Sequence, residues 1–168
     1  MMTKNTYSKP IDEKYITGIK YDSPTHRKFF SEKYKAFVDL THAIDYSCNI
    51  GTPIKAMLNG EVVYIVDGLT KNYDKFKPEP TEEQLPEDER LGNFIWLKHK
   101  NNEFSEYAHL NCKGIIVKAG QEVKTGQVLG YSGHTGWSIK PHLHFLVFRF
   151  LKPMPAKDRE SLEIKWKK

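Results

Sequence analysis

Alternation of apolar and polar residues at a period of two, broken by Gly and Pro turns, limits this chain to a β architecture. The pattern starts at Phe37-Val38-Asp39-Leu40-Thr41-His42-Ala43-Ile44-Asp45-Tyr46. Further strand-like runs follow in the β-branched Glu61–Val66, in Asn93–His99, in Phe104–Leu110 and in the apolar run Leu143–Phe150. Asn59-Gly60 is a hairpin dipeptide between two such runs, and Lys100–Glu103 is a polar turn closing another hairpin. Gly120, Gly126 and Gly130 punctuate short strands, and helical periodicity is nearly absent from the centre. The expected fold is all-β. With 168 residues one domain is the default, and the core can be sizeable.

The strand pattern divides the chain into three parts. Residues 1–36 form a polar, lysine-rich N-terminal extension packed across the domain, with a short helix expected near Phe29–Tyr34. Residues 37–150 form the domain, interrupted at 67–92 by a Pro- and acid-rich stretch that reads as a surface insertion, either disordered or a substrate-side flap. Residues 151–168 form a charged tail with an expected helix at Lys157–Lys165. Charged residues make up 28% and no apolar run reaches bilayer length, so a membrane-spanning chain is not expected. Met1–Thr6 contain no hydrophobic leader, which leaves a cytoplasmic chain and an exported one with a processed leader both open. The net charge of +5 comes from lysines at both ends, without the aromatic interleaving of a nucleic-acid surface, so no nucleic-acid partner is expected. Cys48 and Cys112 form no metal-type pair; buried thiols and a disulfide both remain open.

The chemistry concentrates in Pro141-His142-Leu143-His144-Phe145. On a strand the two histidines share a face, about 6.6 Å apart. Two imidazoles on a buried face are costly unless they are paired, hydrogen-bonded to backbone, or bound to a metal. His99 reads as a strand-end residue and His26 as a surface residue of the extension.

Four features occur together. They are Ile44-Asp45 ahead of Gly51-Thr52-Pro53, Tyr107-Ala108-His109-Leu110, the Gly-rich Val117–Ser132 segment running into Gly133-His134-Thr135-Gly136, and the Pro-His-Leu-His-Phe stretch. In this order they resemble the lysostaphin-type (LytM-like) zinc metallopeptidases, the peptidoglycan endopeptidase family. The resemblance covers roughly Val38 to Arg149. It implies a two-layer antiparallel β-sandwich or barrel of the duplicated hybrid motif type, with a groove along one sheet. It also implies one Zn2+ held by Asp45, His144 and a further histidine, catalysis by His109 and His142, and a peptidoglycan peptide or other peptide as substrate. Ser132, His134 and Trp137 fall where the groove is lined. Such proteins act in the cell envelope or outside the cell.

One position departs from that pattern. The family's first ligand lies four residues before the aspartate, where this chain has Thr41, and a histidine follows one place late at His42. On a regular strand His42 points away from Asp45. A β-bulge would re-aim it and make His42 the third ligand. Another residue, for example His26, could supply that ligand. Failing both, the domain is a degenerate, non-catalytic wall-binding or regulatory member. A remoter alternative is a histidine phosphocarrier of the same fold, because Val117–Gln127 also resembles such domains.

Overall fold

The alternating runs form strands in the computed structural model, which describes residues 1–21, 23–31, 35–73, 85–152 and 158–168. In chain order these are β1 (Gly18–Lys20), β2 (Lys28–Ser31), β3 (Ala36–Asp39), β4 (Ile44–Ser47), β5 (Pro53–Lys55), β6 (Gly60–Val66) and β7 (Asn72–Tyr73). After one short helix, α1 (Glu87–Leu91), follow β8 (Asn93–Lys98), β9 (Phe104–Ile115), β10 (Glu122–Val123), β11 (Val128–Ser132), β12 (Gly136–Trp137), β13 (His142–Phe150) and β14 (Arg159–Ser161). The fold is all-β. The main sheet runs β1-β4-β13-β9-β8-β6-β10, with β11 joining β9 to β5 and β14 joining β13. Its pairings are antiparallel, as are those of the small β2–β3 sheet; the short β7–β12 pair is parallel.

β13 lies near the middle of this sheet, and both of its faces are covered. Leu143, Phe145 and Val147 enter the larger core with Tyr46, Tyr107, Leu97 and Leu110. Leu146 and Phe148 point the other way, into a second cluster with Val38, Leu40 and Phe104. Burial on both sides explains why the sequence of β13 is almost continuously apolar. His142 and His144 belong to the second face, which also carries Glu106 and Ala108 of β9, since Ala108 pairs with His144 and Glu106 with Leu146.

Several local expectations change. The continuous strand expected over 37–46 is broken by a turn, in which Ala43 N donates to Leu40 O and the Thr41 backbone and hydroxyl both donate to Asp39 Oδ1. The turn carries the chain from β3, paired with β2, to β4, paired with β13. Asn59-Gly60 closes no hairpin, because β5 pairs with β11 while β6 pairs with β8 and β10. Gly60 is there for close approach: an added Cβ would lie 2.5 Å from the Lys98 carbonyl oxygen. Asn59 Oδ1 instead accepts from the Thr125 backbone and hydroxyl.

The ends also differ. The helix expected at 29–34 overlaps strand β2, and residues 32–34 lie outside the described residues. The expected C-terminal helix is replaced over its described part by β14. There Ser161 is buried opposite Phe148, Leu162 and Ile164 enter the larger core, and this packing outweighs the helical preference of the charged residues. The N-terminal segment is tied down by Glu103, 2% exposed, which accepts from the Lys4 and Asn5 backbone, the Asn5 amide and Tyr7 Oη. Tyr7 and Ile11 are part of the larger core. Of the acidic stretch, residues 74–84 lie outside the described residues, so the disorder and flap readings fall there; its ends contribute β7 and α1. Cys48 is buried, Cys112 half-buried, and both are free thiols. Among the described residues no helix is long and apolar enough to cross a membrane.

Candidate metal centre

The β4–β13 register is unbroken from Ile44 to Ser47 and places Asp45 directly opposite His144, and Ser47 opposite His142. Opposite residues of an antiparallel pair share a face. His144 Nδ1 accordingly lies 2.9 Å from Asp45 Oδ1, and His142 Nε2 lies 3.6 Å from the same oxygen. The third partner comes from the N-terminal segment between β1 and β2. His26 Nε2 lies 3.2 Å from Asp45 Oδ1, and its side chain is 2% exposed. The surface reading of His26 is thereby corrected: Asp45 and the His144 ring, 5.1 Å away edge-on, enclose it.

One ligand atom from each of His26, Asp45 and His144 lies within 4.8 Å of the others. Donors of a tetrahedral zinc site stand about 3.3 Å apart, so this set has the right spacing and the right N and O chemistry. His26 Nδ1 donates to the Tyr21 carbonyl at 3.2 Å, which fixes the ring and presents Nε2 to the cluster. His42 is not part of this group. It sits in the turn before β4, its backbone amide donates to Ser161 Oγ, and no bulge separates the turn from Asp45 in the β4–β13 pairing.

His109 reaches the cluster through a local distortion. Between Asn93 and Ile95 of β8 the partner strand advances from Leu110 to Tyr107, which leaves one extra residue on β9. His109 takes up that bulge with φ 60°, a left-handed conformation that is uncommon outside glycine. Its ring stands 4.6 Å from that of His142 and 5.8 Å from that of His144. His109 Nδ1 donates to Thr135 O at 2.8 Å, and His142 Nδ1 donates to Lys140 O at 2.7 Å. Neutral rings held this way keep the Nε2 lone pairs bare.

The electrostatics follow from burial and from one carboxylate. Burial opposes ionisation of Asp45, but hydrogen bonds from His144 and His26 and the charge of the neighbouring rings hold it well below the usual carboxylate range. Burial alone would lower the His26 pKa; Asp45 outweighs it and raises it. Burial drives His109 well below its ordinary value, with the charges of His142 and His144 adding to the effect. Burial also lowers His142 and the distant His99, with Asp45 opposing at His142 and the Asn59 carbonyl at His99.

These shifts set a pH dependence for the metal-free chain. His99, His109 and His142 stay neutral when folded but take up protons when unfolded below the ordinary value of 6.5. Stability is therefore lost as pH falls through that value. His26 acts in the opposite sense, since its contribution is full below 6.5 and fades as pH rises through its folded value. With three groups against one, the urea midpoint of the metal-free protein is expected to be lower at about pH 5.5 than at about pH 7.5. An equal or higher midpoint at the lower pH would contradict this balance.

Asp45, His109, His142 and His144 line a pocket of about 300 Å³, together with Lys20, Arg90, Trp137 and Lys140. Of the other residues expected in a groove, Trp137 lines this pocket. Ser132 does not line it; it is buried, and its Oγ donates to Asn49 O and accepts from Thr52 N. His134 Nδ1 lies 3.0 Å from Ser138 Oγ, which is itself 3.2 Å from His142 Nδ1. The sequence did not mark Ser138, Thr135 as the carbonyl acceptor for His109, or the buried Glu106 beside His144. Thr135 lies in the flagged Gly133–Gly136 motif; the other two carried no signal.

The profile of Peptidase family M23 matches residues 39–155. Lysostaphin of Staphylococcus simulans is 36% identical over 105 residues, 62% of this chain and 17% of that protein. Peptidoglycan DD-endopeptidase ShyA of Vibrio cholerae is 34% identical over 112 residues, 67% of this chain and 21% of that protein. A zinc-containing peptidase from Vibrio cholerae superposes with a TM-score of 0.56 at 26% identity, covering 85% of this chain and 36% of that structure. The aligned part spans only 17% to 27% of the length of such curated relatives.

Proposed function

Because this chain belongs to Peptidase family M23, we propose that it is a zinc-dependent endopeptidase acting on the peptides of peptidoglycan in the cell envelope. The observation that carries the reading is the convergence of His26, Asp45 and His144 into one donor set, with His109 and His142 beside it. Similarity to a peptidoglycan DD-endopeptidase and to a zinc-containing peptidase supports the substrate class and the metal.

In this reading His26 Nε2, Asp45 and His144 Nδ1 hold the metal. His26 takes the role that the sequence pattern would give to position 41, so Thr41 does not make the domain degenerate. Zinc, when bound, supplies Lewis acidity that lowers a water's pKa toward ~7 and polarises a carbonyl. His142, kept neutral by burial and aimed by Lys140 O, accepts a proton at Nε2 from the attacking water. That proton then passes from His142 Nε2 to the departing amine, while His109, held by Thr135 O and by its bulge, turns its bare Nε2 toward the attacking water and orients it as a hydrogen-bond acceptor. Trp137 and the cationic side chains of Lys20 and Lys140 border the peptide's path. A phosphocarrier reading is disfavoured because Asp45 lies within hydrogen-bond distance of both His26 and His144, where it would repel a phosphate.

The test is digestion of purified sacculi by the zinc-loaded chain, with products read by mass spectrometry. New peptide termini that disappear on chelation and return with zinc are expected. Intact cross-links at full zinc occupancy would overturn the assignment of substrate.

A further inference from the structure

We propose that Glu106 is the positioning residue that selects the metal-binding tautomer of His144, an inference that rests on the zinc reading above. Glu106 is fully buried in β9, where an unpaired carboxylate would be costly. One of its oxygens is accounted for: Oε2 accepts from Trp96 Nε1 at 2.7 Å and from Arg159 Nη1 at 3.2 Å. The Arg159 guanidinium is itself fixed over the rings of Phe148 and Trp96, 4.9 and 5.4 Å from their centroids. The carboxylate is thus held in one orientation, and Oε1 is left facing His144.

Two buried polar atoms then lack hydrogen-bond partners, Glu106 Oε1 and His144 Nε2, and they face one another at 3.9 Å. A movement of about 1 Å brings them to hydrogen-bond length. A carboxylate only accepts, so the nitrogen that faces it must carry the proton. Nδ1 lies 2.9 Å from Asp45 Oδ1 and donates to it in the metal-free chain; with the Nε2 proton kept by Glu106, Nδ1 can give up its own proton and serve as the metal's donor. The strand register explains the reach. Glu106 and His144 share a face, two residue pairs apart along β9 and β13. Arg159 enters from β14, opposite Phe150. The C-terminal strand therefore orients the carboxylate that orients the ligand.

Glu106→Gln is isosteric and reverses the polarity of this contact. Trp96 and Arg159 both donate, so they claim the amide oxygen and leave the NH2 group facing His144 Nε2. That nitrogen must then accept, and the ring proton moves to Nδ1, where it competes with the metal. Zinc affinity of the full chain, measured by chelator competition, is expected to fall about 10- to 100-fold. Histidine 1H–15N NMR at saturating zinc is expected to show the His144 Nε2 proton downfield and slow to exchange in the wild type, and shifted upfield and faster to exchange in Glu106→Gln. A merely structural role would shift the melting temperature without moving that proton's resonance. If wild-type protein binds zinc and Glu106→Gln binds it within threefold with that resonance unmoved, the role of Glu106 falls and the zinc site stands. If the variant does not fold, the wild type still decides: His144 protonated at Nδ1 with zinc bound overturns the proposal. Failure of the wild type to take up zinc removes both readings.

Discussion

Replacing His26 by alanine is expected to strip the chain of stoichiometric zinc while leaving the β-fold in place. His26 belongs to neither core cluster and sits in the segment between β1 and β2, so its loss opens no apolar cavity. What it removes is Nε2, 3.2 Å from Asp45, in a ring already aimed by the Tyr21 carbonyl. Loss of an outer-shell partner alone costs about 10- to 100-fold in metal affinity, so loss of a direct donor is expected to exceed about 100-fold. Peptidase turnover should vanish with the metal. His42→Ala is the matched control, expected to keep zinc affinity within about threefold. The opposite pattern, zinc retained in His26→Ala and lost in His42→Ala, would mean that the turn before β4 rearranges to bring His42 onto the ion. Zinc per protein measured by atomic emission, with circular dichroism to confirm folding, reads out both variants.

His109→Ala and His142→Ala are expected to do the reverse: keep the metal and lose the rate. Neither ring belongs to the three-residue donor set, and each holds its Nδ1 proton on a backbone carbonyl. A positioned acid or base contributes typically ~10²–10⁴-fold, so each single variant should fall by that factor. The double variant should fall by less than the product, because the two rings stand 4.6 Å apart and serve one reaction. His142 is the sharper test. Its Nε2 is 3.6 Å from Asp45 Oδ1, close enough to compete for a place at the metal. Loss of zinc in His142→Ala would show that it ligates rather than accepts a proton.

The sequence carried the strands and part of the site. Alternation marked β4, β-branched and apolar runs marked β6, β8, β9 and β13, and the His-x-His spacing placed two imidazoles on one face. His26 could be named as an alternative third ligand but not singled out, because nothing local distinguishes it: it lies in a polar segment near Pro24, 19 residues from Asp45, which in turn meets His144 99 residues further on. His42 looked like a ligand because proximity in sequence to Asp45 is easily mistaken for proximity in space; the Asx-type turn at Asp39–Thr41 undoes it. The φ of His109 depends on an extra residue relative to β8, which only cross-strand register reveals. The C-terminal strand was missed although Leu162 and Ile164 are two residues apart, because the charged residues around them favour a helix in isolation and packing decides otherwise. Glu106 was unmarked because a carboxylate in an alternating strand reads as solvent-facing until the second face of the sheet is known to be covered.

Anomalous diffraction at the zinc edge, from crystals grown with zinc, tests the donor set most directly. The account expects a single peak whose nearest protein atoms are His26 Nε2, an Asp45 carboxylate oxygen and His144 Nδ1. A peak held by His42, or by His142 in place of His26, or no peak at Asp45 in fully folded protein, would contradict it.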